Sequence, residues 1–166
     1  MNTFTTFIFK KYRKNKEMIA YFKANPGYFE HLIEASLSVD YNKAWRCAML
    51  IGHIARINDS RLQSHVDSFI NTLMQIKIDG HQRQILVILD KMKLIEDQEG
   101  KLFNYCLTNW ENISKIPSTR IRAFWMMEKI AENYPELKKE LKYFVTAYYT
   151  ETLSSGIKHI VLKKYG

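Results

Sequence analysis

Six glycines and three prolines in 166 residues are too few turn formers for a sandwich or barrel of many short strands, and no period-two segment is long enough to seed one. The two cysteines, Cys47 and Cys106, stand 59 positions apart inside apolar runs with no CxxC. That excludes a thiolate metal site or a disulfide framework, and both read as small core residues. No apolar run approaches the ~18 residues that a bilayer span requires. The apolar start, Met1 to Phe9, is broken by Thr3, Thr5 and Thr6 and is followed rather than preceded by basic residues. That order predicts no signal peptide, and with the free thiols it predicts a protein of the reducing cytoplasm. No GxxxxGK, GxGxxG or GxSxG occurs. The five histidines show neither HxxxH nor HExxH, so a single-helix metal site is excluded and no cofactor is expected.

What is present is a helical composition, 46% hydrophobic and 25% charged, with a formal net charge of +8. The charge is uneven. Residues 1–25 hold six cations (Lys10, Lys11, Arg13, Lys14, Lys16 and Lys23) against Glu17, a surplus of five, and residues 136–166 hold six against three. The 110 residues between are neutral. A body that tracks a phosphate backbone would carry its surplus unit after unit, so the distribution favours a protein partner over nucleic acid.

Four segments fall in register when Arg46, Arg83, Arg122 and Lys158 are aligned, at spacings of 37, 39 and 36 residues. Four positions before each cation stand Asn42, Asp79, Ser118 and Ser154, residue types that cap helix N-termini. Fourteen positions before stand Leu32, Phe69, Thr108 and Phe144. The pairs Leu50-Ile51, Val87-Ile88 and Met126-Met127 follow the first three cations at buried-stripe spacing, whereas the fourth segment has Leu162-Lys163. Each unit therefore reads as a helical hairpin. The first helices are expected near 28–37, 61–76, 102–113 and 136–150, and the second near 43–57, 81–95, 119–133 and 155–164. A basic amphipathic helix over about 12–24 precedes them. The domain plan is a basic N-terminal helix or cap, 1–25, and a repeat domain, 26–166. Hairpins this short cannot bury their apolar faces alone, so stacking is required.

The period, the helix pairs and the Arg near the start of each second helix resemble HEAT repeats over roughly residues 26–164. Asp40, six before Arg46, is similar to the turn Asp of such repeats, whereas Lys77 and Ile116 stand at that offset in the next two units. The segments NPGYFEHLIEASLSVDYNKAWRCAML and YPELKKEL resemble short bacterial HEAT-like proteins of unassigned role. Some of these carry the name adenylosuccinate lyase, but the glycine-rich serine loop of that superfamily is absent here, and the chain is too short for its long-helix bundle. The resemblance implies an all-α, right-handed superhelix of about four hairpins, whose second helices line a concave side. Trp45, Arg46, Arg83, Arg122, Trp125 and Lys158 are then the candidate ligand-facing residues. A structural role for the three Arg, donating to carbonyls in the turn of an adjacent unit, is the stronger expectation. On that expectation Arg83→Ala lowers stability more than affinity.

The function these residues support is a non-catalytic scaffold that binds another protein, one with an acidic or extended segment. The alternative is a DNA-binding or base-repair protein resembling HEAT-like DNA alkylation glycosylases. In that case Trp45, Trp125 and the Arg series would hold duplex, and Asp90 or Glu128 would support base release.

Overall fold

The computed structural model describes residues 8–12 and 14–165; Arg13 of the basic run and residues 1–7 of the apolar start lie outside the described residues. Helices account for all the regular structure, and no strand occurs among the described residues. The chain divides into two compact units, Met1–Leu94 and Ile95–Gly166.

In the first unit, α1 (Asn15–Ala24) buries Met18 and Phe22, one turn apart, and keeps its lysines exposed. It stops at Asn25, whose side chain donates to the Tyr21 carbonyl at 2.8 Å before Pro26. A 3-10 turn, Pro26–Tyr28, leads into α2 (Phe29–Ser36), and α3 (Ala44–Ile54) follows. After α4 (Ser60–Gln63) come α5 (Val66–Gln75) and α6 (Asp79–Asp90). Helix α3 is the hub, packing on α1, α2 and α6, while α5 packs on α6. Gly52 lets α3 and α6 approach closely, since a Cβ there would lie 3.2 Å from a Val87 methyl.

The second unit begins with α7 (Glu96–Glu111) and α8 (Pro117–Ala131), which pack together around Leu102, Cys106, Trp110, Phe124 and Met127. The Trp110 and Phe124 ring centroids are 4.6 Å apart. Then come α9 (Pro135–Glu140), a 3-10 turn (Leu141–Phe144), α10 (Ala147–Thr150) and α11 (Ser155–Tyr165). Tyr165 reaches back to α8, meeting Phe124 edge-on with ring centroids 5.6 Å apart.

The second helices lie close to where periodicity puts them, and three of the first helices differ. The expected helix 61–76 is two pieces, because the His65 amide closes on the Leu62 carbonyl three residues back. Leu62, Val66, Phe69 and Leu73 keep helical spacing across that step, so the pattern hides it. Helix 136–150 is likewise broken, with Leu141, Val145 and Thr150 its buried residues. Helix α7 starts six residues earlier than 102. The acidic residues Glu96, Asp97 and Glu99 favour its positive end, and the Gln98 side chain accepts from the Ile95 amide at 3.2 Å.

The expected caps also shift. Lys43, Ile78 and Ile116 occupy the N-cap positions of α3, α6 and α8 without a side-chain bond, and Asp79 and Ser118 fall inside the first turns. Asp59 does cap, accepting the Arg61 amide at the start of α4.

Candidate functional site

The last carbonyls of a helix have no partner within it, and burial makes that costly. Here buried donors at the starts of the second helices meet the ends of first helices. Arg120, fully buried in the first turn of α8, donates through Nε and Nη2 to the Trp110 carbonyl at 2.9 and 2.8 Å. Nη2 also reaches the Tyr149 carbonyl at 2.7 Å, and Nη1 reaches the Thr152 hydroxyl at 2.7 Å. One guanidinium thus joins the carboxyl ends of α7 and α10 while lying over the Trp110 ring, 4.9 Å from its centroid. Trp110 Nε1 donates to the Phe144 carbonyl at 2.8 Å, another group freed where the expected helix breaks. Burial pulls the Arg120 guanidinium below its ordinary value, and it keeps its charge.

The first unit repeats the device with the neutral donors His81 and Gln82, and Lys91, at the end of α6, adds an ammonium that closes the end of α3. His81 Nε2 lies 2.8 Å from the Ser36 carbonyl at the end of α2, so that nitrogen carries the hydrogen. Gln82 donates to the Ile76 carbonyl at 2.6 Å. Lys91 Nζ reaches the Gly52 and Ala55 carbonyls at the end of α3, at 2.5 and 2.9 Å.

The register cations do different things. Arg46 bonds Asn15 Oδ1 on α1 at 3.3 Å and lies 5.0 Å from the Phe9 ring centroid, with Lys43 5.8 Å from the same ring. Trp45 beside it is 40% exposed. Arg83 buries its Nε without a hydrogen-bond partner. In the second unit Arg122 stacks on Trp125, 4.7 Å from the ring centroid, and both are half-buried, as is Lys158. Asp90 is exposed at the end of α6. Glu128 accepts from Tyr165 OH at 2.5 Å and pairs with Lys164 Nζ at 2.9 Å, which ties down α11. Burial, with help from the Glu128 bond, pushes the Tyr165 phenol up.

Arg120 is the residue that register alignment misses. Its signal is helical phase: Thr119, Arg120, Ala123, Phe124 and Met127 form the buried stripe of α8, where a cation needs partners. Lys23 and Arg56, which face a groove beside the 55–59 loop, also escape a search by repeat position. The second unit has a smaller pocket of about 270 Å³ over Phe103, Ile130 and Leu137. At its edge the buried Glu99 accepts from Asn133 Nδ2 at 2.9 Å and Tyr134 OH at 2.7 Å.

Cys47 and Cys106 are buried free thiols, and burial drives both upward, Cys47 to about 12, so neither is a nucleophile at neutral pH. Among the described residues no cluster of three or more His, Cys, Asp or Glu is placed to hold a metal ion, and no helix is long and apolar enough to cross a membrane.

No curated protein and no solved structure matches the chain. The profile of the HEAT repeat domain matches residues 10–164, nearly the whole length. The chain belongs to the HEAT repeat domain family.

Proposed function

We propose that this protein is a non-catalytic scaffold that binds another protein through the cationic and aromatic surface of its first unit. The observation that carries the reading is Trp45, 40% exposed on α3 and two positions from Lys43. Among the described residues no ion pair neutralises Lys10, Lys11, Lys14, Lys16, Lys23 or Lys43, whereas Lys101, Lys139 and Lys164 of the second unit pair with Asp97, Glu136 and Glu128. A large aromatic ring beside unspent positive charge suits a partner that offers an apolar anchor and carboxylates. The non-catalytic part of the reading rests on chemistry: the thiols are buried and protonated, and Glu128, one carboxylate considered for base release, is occupied by Tyr165 and Lys164. Buried free thiols also suit a reducing compartment such as the cytoplasm. Arg83, Arg122, Trp125 and Lys158 remain secondary candidates within their own units.

Affinity capture from native lysate with wild type and with a Lys43→Glu, Trp45→Ala double variant tests this. A protein retained by wild type and lost by the variant is the expected result. Capture of nothing, with turnover in an unbiased metabolite screen, would overturn it. A mobility shift with duplex DNA that weakens steeply with salt would move the assignment to nucleic acid.

A further inference from the structure

Between the end of α1 and the loop after α3 the first unit has a groove of about 840 Å³, lined by Lys23, His53, Arg56, Asn58, Asp59 and Arg61 among others. Its floor is fixed from several directions. Asn58 stands at φ 53°, in the left-handed region that asparagine tolerates, and its amide donates to the Lys91 carbonyl at 2.8 Å. The Lys91 ammonium in turn holds the carbonyls of Gly52 and Ala55.

Among the described residues that line the groove Asp59 is the one acid, and it is already spent. Its Oδ1 takes the Arg61 amide at 3.2 Å and Nε at 2.9 Å; its Oδ2 takes Arg61 Nη2 at 2.7 Å and the Arg56 amide at 3.2 Å. The Asp59 side chain is only 7% exposed, and the paired guanidinium sits over Phe29, 3.9 Å from the ring centroid. The hydrogen bonds from Arg61 hold the Asp59 carboxyl down at about 2, so it stays ionised and matched to that one cation. Lys23 and Arg56 are exposed, and among the described residues no ion pair neutralises either; His53, also exposed, lines the same groove.

A rigid groove with two unspent cations and a sequestered carboxylate complements a chain of separated negative charges. We infer that this groove is the docking site for an extended, Glu- or Asp-rich segment of a partner protein, its carboxylates meeting Lys23 and Arg56. This deepens the scaffold reading and rests on it.

Fluorescence anisotropy with a labelled Glu-rich peptide and the full chain tests the inference. Lys23→Glu with Arg56→Glu, both at exposed positions, is expected to weaken binding at least about tenfold. Lys138→Glu with Lys163→Glu, the same change in net charge on exposed positions of the second unit, is expected to leave it nearly unchanged. Equal weakening by both pairs would reduce the effect to net charge and overturn the groove assignment. Binding indifferent to the Lys23 and Arg56 pair but lost with Lys43→Glu and Trp45→Ala would overturn the groove and keep the scaffold reading. No binding by wild type even at about 50 mM salt would overturn both. Displacement of the peptide by duplex DNA that itself fails to bind the Lys23 and Arg56 variant would give the groove to phosphates instead.

Discussion

A cation in the first turn of a helix opposes that helix's own dipole, so Arg120 needs compensation from elsewhere. It finds this in two carbonyls, a hydroxyl and an indole face, all within the second unit. Removing the guanidinium leaves the buried Trp110 carbonyl and the part-buried Tyr149 carbonyl without these donors. Arg120→Met, which keeps the apolar stem, is therefore expected to lower unfolding free energy by about 3 kcal/mol or more. Arg122→Ala, losing a half-exposed stack on Trp125, is expected to cost within about 1 kcal/mol. Urea unfolding curves compare the two directly, and equal losses would contradict the distinction between them. The difference is two positions in sequence but opposite phases on one helix.

Among elements, the recurring device is a donor at one helix start that closes another helix end, and His81 makes it depend on pH. Its ring is buried against the Ser36 carbonyl, and burial lowers its pKa below the ordinary 6.5. The folded state therefore binds a proton less readily than the unfolded chain. The stability this group supports is present above the unfolded value near 6.5 and is lost as pH falls below it. His81→Gln can still donate to Ser36 and does not titrate. The stability gap between wild type and this variant is expected to narrow by up to about 1.4 kcal/mol per pH unit between about 6.5 and 5. Parallel curves in thermal melts over that range would contradict the assignment. Asp59, held low by Arg61, acts in a separate window beginning near 3.8.

The helix starts also show what was legible in the chain and why the rest was not. Leu50-Ile51 and Met126-Met127 announce buried stripes, and α3, α6, α8 and α11 lie near the positions their periodicity assigns. Breaks at Ser64-His65 and around Val145 do not disturb apolar spacing, because they are changes in backbone hydrogen bonding. The early start of α7 is hidden by polar residues whose value lies in the helix dipole. Carbonyl partners of Arg120 come from 10 and 29 positions away, and neighbours that distant leave no local pattern.

At the scale of the whole chain, the two units differ in electrostatic character. The first carries fourteen of the Lys and Arg residues against eight acids, a surplus of six, and the second eleven against nine. Members of a repeat family share a scaffold and differ in what their surfaces present, so function is argued from the surface. In the first unit that surface is the exposed Trp45, close in sequence to Lys43, and the groove of Lys23 and Arg56. The central claim is that these groups receive an acidic protein. Photo-crosslinking tests it most directly, with p-benzoylphenylalanine replacing Trp45 in the full chain and irradiation in native lysate. The predicted result is a protease-sensitive, nuclease-resistant adduct whose crosslinked peptide is acidic; a nuclease-sensitive adduct, or none, would contradict the claim.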